Sequence, residues 1–167
     1  MKAAAVCLAS ILALAVQTTM LPFALGGRGH VDLVLVVVVY AALQFGPATG
    51  LLTGAAAGMA QDALSGGVIG VGGIAKTIVG FLAGAIGSQF IVANALPRFV
   101  VLLMGAALHA VCVLGLYAVI DKTGFAAVSW RSAWPQVLLT AGIGIILIQI
   151  VQGIPGFLMR RRLRRGY

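Results

Sequence analysis

The feature that most constrains this sequence is a series of long apolar runs with almost no charged residues. Of the 167 residues, 62% are hydrophobic and 8% are charged, whereas about a quarter of the residues in a soluble globular domain are charged. Apolar segments of about 20 residues are long enough to cross a bilayer as helices. The chain is therefore predicted to be a helical membrane protein with several spans, and a soluble globular domain is excluded.

Six segments are predicted to cross the membrane and to form a compact all-α bundle, a single polytopic domain over residues 1–167. The first segment is expected to be retained rather than cleaved as a signal peptide, because its apolar stretch continues past the small residues at 13–15. The second and third are short for a span, so they form either two short crossings or a re-entrant hairpin. The predicted spans are residues 3–25, 31–45, 47–64, 70–93, 97–120 and 134–158.

The net charge of +8 is concentrated after the last predicted span. A basic cluster beside a span is typical of the cytoplasmic side and attracts anionic lipid headgroups, so recognition of nucleic acid is disfavoured. With six spans, both termini are then expected in the cytoplasm, and Asp32 and Asp121 are assigned to outward-facing loops. Five arginines form the basic tail at residues 159–167, namely Arg160, Arg161, Arg162, Arg164 and Arg165.

Small residues recur at every fourth position in the third and fourth predicted spans. Residues four apart lie on one face of a helix, and small residues allow helices in lipid to approach closely. A hairpin with facing glycines is therefore predicted, joined by the glycine-rich stretch at residues 64–73. The two stripes are Gly50, Gly54, Gly58 and Asp62 in the third span, and Lys76, Gly80, Gly84 and Ser88 in the fourth.

Asp62 and Lys76 are expected near the same membrane depth in this hairpin. Ionisable groups inside a membrane are costly and commonly mark functional sites. Two interpretations stay open. In the first, the two side chains have a structural role, either as an internal ion pair that fixes the hairpin or as side chains that extend to the membrane interface. In the second, they contact a ligand or partner.

Other polar side chains in the spans are expected to form hydrogen bonds between helices. His109 is predicted to be neutral and buried, with a proton relay or metal site as the lesser option. For Gln17, Thr18 and Thr19, and for Gln149 and Gln152, the lesser option is that they line a cavity. A hydrolase built on Ser88 and His109 finds no support, because no nucleophile turn surrounds Ser88. Metal-ligand spacing is also missing, so neither a metal nor a cofactor is expected.

The hairpin region resembles the bacterial rod shape-determining protein MreD family. That family typically has a glycine-spaced helix ending in a Gln-Asp-Leu-hydrophobic-Ser-Gly type motif, followed by a helix with a Val-Gly-Tyr-Leu-hydrophobic-Gly core. Here the second element reads Val-Gly-Phe-Leu-Ala-Gly at residues 79–84, with Phe81 in place of the tyrosine, and Ala63 stands where a larger residue is usual. The residues that match the first motif and lead into the next helix are Gln61, Asp62, Ser65, Gly66, Gly70 and Lys76.

The resemblance implies a non-enzymatic component of the cell-wall elongation machinery in the bacterial inner membrane. It implies direct binding to MreC, a single-span protein with a periplasmic coiled coil, and a wider complex with MreB, RodA and a class B transpeptidase. A homo-oligomer is a further possibility. The family's fold is similar to the six-helix substrate-binding component of energy-coupling factor transporters, so the alternative function is binding of a small molecule such as a vitamin.

Overall fold

A computed structural model describes residues 2–19, 31–66, 68–89, 95–120 and 130–164. All regular structure in these ranges is helical, which confirms the predicted all-α fold class. Each helix overlaps one of the six predicted spans. The helices are α1 (Lys2–Thr19), α2 (Leu33–Phe45), α3 (Pro47–Ser65), α4 (Val71–Gln89), α5 (Ala95–Ile120) and α6 (Trp130–Arg164).

Three of the described helices contain a segment long and apolar enough to cross a membrane: Val71–Ser88, Ala95–Ile120 and Trp134–Val151. Two shorter helices, Ala4–Thr19 and Leu33–Phe45, are also apolar. The 13 residues of α2 extend about 20 Å at 1.5 Å per residue, less than the roughly 30 Å of a bilayer core. The start of α2 lies beside the interior of α4 and α6, because Asp32 just before it contacts Lys76 and Thr140.

The short helix α2 is the centre of the bundle and packs against each of the other five described helices. Its sequence is rich in valine, a residue with modest intrinsic helix propensity. Burial compensates, because Val34, Val38 and Val39 are each 0% exposed. A helix that is apolar on all sides is stable only when it is enclosed, so tertiary packing holds α2 in place.

A single residue, Gly46, connects α2 to α3. Its φ of +93° is in a region that residues with a side chain rarely adopt. Its amide donates to the carbonyl of Ala42 at 2.8 Å, which closes the last turn of α2. Pro47 then opens α3 with a φ that suits the first helical position, so the two helices fold back on each other without a loop.

Helices α3 and α4 pack backbone against backbone. A Cβ atom placed on Gly58 would lie 2.6 Å from the Cα of Gly73, and one on Gly84 would lie 2.5 Å from the Cα of Pro47. No side chain fits at such a separation, so glycine is required for this close approach. The contacts along the pair are Gly50 with Gly80, Gly54 with Lys76 and Thr77, Gly58 with Gly72 and Gly73, and Gly84 with Pro47.

The last helix, α6, has 35 residues and packs against α5 and α2. Residues 159–164, which the sequence assigns to a basic tail, continue this helix without a break. Four of the five tail arginines thus lie on the end of α6. Arg165 lies outside the described residues.

Candidate functional site

Four helices bring a lysine, an aspartate, a histidine and a threonine together at the start of α2. We call Asp32, Lys76, His109 and Thr140 the polar cluster. The Nζ atom of Lys76 lies 2.7 Å from Oδ2 of Asp32 and 3.0 Å from Nε2 of His109. The side chains of Lys76 and Asp32 are only 2% and 3% exposed. The cluster is therefore a buried ion pair extended by a histidine.

Asp32 enters the cluster because it caps the first turn of α2. Its Oδ1 accepts a hydrogen bond from the amide of Leu35 at 2.9 Å, which is the usual role of an aspartate before a helix. Its own amide donates to Oγ1 of Thr140 at 3.1 Å. Gln17 of α1 accepts from the amide of Leu33 at 3.0 Å. The free amides at this buried helix end, which would otherwise be unpaired, are thus bonded by α1, α6 and Asp32.

The chemistry of the donors defines the charge of the cluster. A lysine ammonium can only donate hydrogen bonds, so Nε2 of His109 accepts and the imidazole is neutral with its proton on Nδ1. The Asp32 carboxylate balances the Lys76 ammonium, and the cluster has no net charge. Pairing of this kind is the condition on which charges are tolerated in an apolar interior. The bond from Lys76 also confirms that His109 contacts a neighbouring helix.

The ion pair between Asp62 and Lys76, one of the interpretations left open by the sequence, is not formed, because Lys76 bonds Asp32. Lys76 lies more than one turn inside α4, whereas Asp62 binds the very start of that helix. Its carboxylate satisfies backbone groups that have no partner within the helix. The Oδ2 atom of Asp62 accepts hydrogen bonds at 2.9, 2.9 and 3.2 Å from the amides of Gly70, Gly72 and Gly73.

The assignment of Asp32 to an outward-facing loop is also wrong, since the residue is 2% exposed. The reason is the enclosure of α2 by its neighbours, which places its N-terminal end beside Lys76 and His109 in the middle of α5. A sequence signal for this position exists. An aspartate directly before an apolar run indicates a helix N-cap, and a short span indicates that the cap is not at the membrane surface.

The remaining residues of the family motif lie around the α3–α4 turn. Gln61 is half-buried, and its Oε1 has no hydrogen-bond partner among the described residues. Ser65 is exposed at the last position of α3. Gly66 and Gly70 take φ values of +67° and +103°, which glycine adopts at low cost. These features shape the turn, and a direct contact of this motif with a partner stays a prediction.

Within the described ranges, two of the three polar residues near the end of α1 bond only their own helix. Thr18 donates to the carbonyl of Leu14 at 2.9 Å, and Thr19 donates to that of Ala15 at 2.6 Å. The prediction of interhelical bonds is therefore wrong for both threonines, because each hydroxyl reaches back along its own helix. It is confirmed for Gln17.

The polar cluster is held by hydrogen bonds and an ion pair, and Ser88 and His109 each bond another residue. Ser88 is exposed and donates to the carbonyl of Ala85 in its own helix at 2.8 Å, while His109 bonds Lys76. Across the described ranges, no three His, Cys, Asp or Glu side chains are grouped so that they could hold a metal ion.

One cavity lies beside the polar cluster, and a second, mainly apolar one lies between α1 and α3. The first, here called the polar cavity, has a volume of about 70 Å³ and lies between α2, α5 and α6 beside Asp32, His109, Gln136 and Thr140. The second, the α1–α3 groove, has a volume of about 470 Å³. Its lining residues are Val6, Cys7, Ser10, Ile11, Leu14, Thr49, Leu52, Thr53, Ala56, Ala57 and Ala60.

Comparison with known proteins identifies one family. Residues 2–158 match the model of a family described as rod shape-determining protein MreD. No curated protein and no solved structure was found to match, so the likeness to the transporter component stays a prediction. The family match extends far beyond the α3–α4 hairpin and covers nearly the whole chain. The protein therefore belongs to the MreD family, and it is a rod shape-determining membrane protein.

Proposed function

We propose that the protein is a non-enzymatic scaffold of the rod-shape complex in the bacterial inner membrane. In this role it binds MreC through a transmembrane face and, with MreB, RodA and a class B transpeptidase, helps to organise peptidoglycan synthesis during lateral growth. Both termini face the cytoplasm, where the arginines at the end of α6 contact anionic lipid. The family match supports the general role, and the α1–α3 groove supports the binding mode.

The α1–α3 groove has the character of a surface for another helix. Its lining on α3 includes the small side chains of Ala56, Ala57 and Ala60. The hydroxyl of Ser10 donates to a carbonyl of its own helix, and that of Thr49 donates to the carbonyl of Phe45 at the end of α2, so these two do not call for a polar ligand. Helices associate in lipid through close packing at small residues. This groove therefore suits the apolar side chains of a single transmembrane span, which is the membrane part of MreC.

The size of the polar cavity disfavours the transporter alternative. Pockets for drug-sized ligands have volumes of roughly 300–1,000 Å³ and present a few polar groups that orient the ligand. The cavity beside the polar cluster has the polar groups but a volume of about 70 Å³. The α1–α3 groove has the volume, but its lining is mainly apolar. Of these two spaces among the described residues, one thus has the polar groups of a vitamin site and the other has the volume.

Photo-crosslinking in native membranes tests the proposed binding mode. A photoreactive residue replaces Leu52, which lines the α1–α3 groove and is 66% exposed, or Met104 of α5, which is 62% exposed and serves as a matched control. We expect MreC to be crosslinked from position 52 and not from position 104. Equal yields from both positions, or none from position 52, would contradict the groove as the binding surface. Recovery of ATPase subunits with a stoichiometric small molecule would contradict the scaffold role itself.

A further inference from the structure

The polar cavity has room for more than one water molecule. It is lined by Asp32, His109, Gln136 and Thr140 together with apolar side chains such as Val113. Its volume of about 70 Å³ exceeds the roughly 30 Å³ that a water molecule occupies in the liquid. Cavities lined only by apolar groups stay dry, whereas a buried water usually makes two to four hydrogen bonds to polar groups. Whether this cavity holds water therefore depends on the hydrogen-bonding groups of its lining.

Three polar side chains that line the cavity have hydrogen-bonding groups without a partner in the described part of the chain. His109 accepts from Lys76 through Nε2, which leaves the Nδ1 proton to be donated. Thr140 accepts from the amide of Asp32, which leaves its hydroxyl proton. The amide of Gln136 makes no hydrogen bond to another described residue. Polar groups that line a cavity commonly bond ordered water when the protein offers them no partner.

We propose that the polar cavity is a water site. Two or more water molecules bind there, accept protons from His109 and Thr140, and exchange hydrogen bonds with Gln136. The site lies beside the polar cluster, between the middle of α5 and the first turns of α6. Bound water supplies hydrogen bonds that apolar walls do not, and this lowers the cost of keeping the Asp32–Lys76 pair ionised.

Solid-state NMR on the full chain in liposomes tests this inference directly. The chain has two histidines, so a His30→Gln variant with isotope-labelled histidine reports on His109 alone. We expect magnetisation to reach the His109 ring from water protons before it arrives from lipid acyl-chain protons. The ring nitrogens should show a neutral imidazole protonated at Nδ1. Transfer from acyl chains first, or no transfer from water, would overturn the proposal.

A filling variant and a matched control locate the water. Ala110 lines the cavity, and Ala110→Leu is expected to abolish the transfer from water to His109. The neighbouring Val111 is 52% exposed outside the cavity, and Val111→Leu is expected to leave the transfer unchanged. Gln136→Leu, which removes a polar group at similar side-chain size, should weaken it. Full transfer in both Ala110→Leu and Gln136→Leu would place the water elsewhere and overturn the assignment.

Discussion

The α3–α4 hairpin and the polar cluster share Lys76 but are built on different principles. In the hairpin, glycines let two helix backbones touch, and the turn between them is short. In the polar cluster, side chains from the start of α2 and from α4, α5 and α6 converge on one buried ion pair. The first region depends on steric fit between sequence neighbours, whereas the second depends on charge compensation between distant segments. Substitutions in the hairpin should therefore lower stability through steric overlap, whereas substitutions in the polar cluster should lower it through an uncompensated charge.

The largest expected effect is the loss of the carboxylate in the polar cluster. Asp32→Ala leaves the Lys76 ammonium buried without its counter-charge, and breaking a buried ion pair in this way costs about 3–5 kcal/mol. Unfolding of the purified protein in mild detergent measures the change in stability. The double variant Asp32→Ala with Lys76→Met removes both charges and should recover a part of the loss. A double variant no more stable than the single one would show that charge compensation is not what holds this region.

A smaller effect is expected at the closest approach of the hairpin. The backbone of Lys76 and Thr77 occupies the space where a Cβ on Gly54 would lie, so Gly54→Ala should destabilise the fold by about 1–3 kcal/mol, the usual cost of overpacking. The control is Gly142→Ala in α6, where a Cβ meets no atom within 4 Å and removal of a helical glycine should be neutral or stabilising. Equal unfolding curves for the two variants would contradict the close backbone contact.

The smallest expected effect is at Asp62, the carboxylate of the hairpin. Asp62→Ala removes an acceptor from the amides at the start of α4, and loss of a helix cap costs about 0.5–2 kcal/mol. Hydrogen exchange should become faster at the amides of Gly70, Gly72 and Gly73, while Ser65→Ala, at an exposed position, should leave it unchanged. A greater loss of stability from Asp62→Ala than from Asp32→Ala would reverse the proposed roles of the two aspartates.

The environments of Asp62 and Asp32 differ in how much of them can be predicted from the sequence. Asp62 was expected to lie at the end of a glycine-spaced helix near the turn, and it does, because both features are local. Its predicted partner was wrong, since proximity in sequence and in the membrane-depth estimate favoured Lys76. The sequence assigns Asp32 to an outward-facing loop because six spans with both termini in the cytoplasm place the start of the second segment on the outer side. Only the enclosure of α2 by its neighbours reveals that this position is buried.

The membrane class, the helical architecture and the family can be predicted from contiguous residues, because apolar length, glycine spacing and the hairpin motif are local properties of the chain. Residues four apart lie on the same face of a helix, so the glycine contacts between α3 and α4 can be predicted from the sequence alone. The tertiary structure decided which carboxylate pairs with Lys76. That choice depends on how α2, α4 and α5 are placed around one another, and no local pattern records the position of a partner from a distant helix.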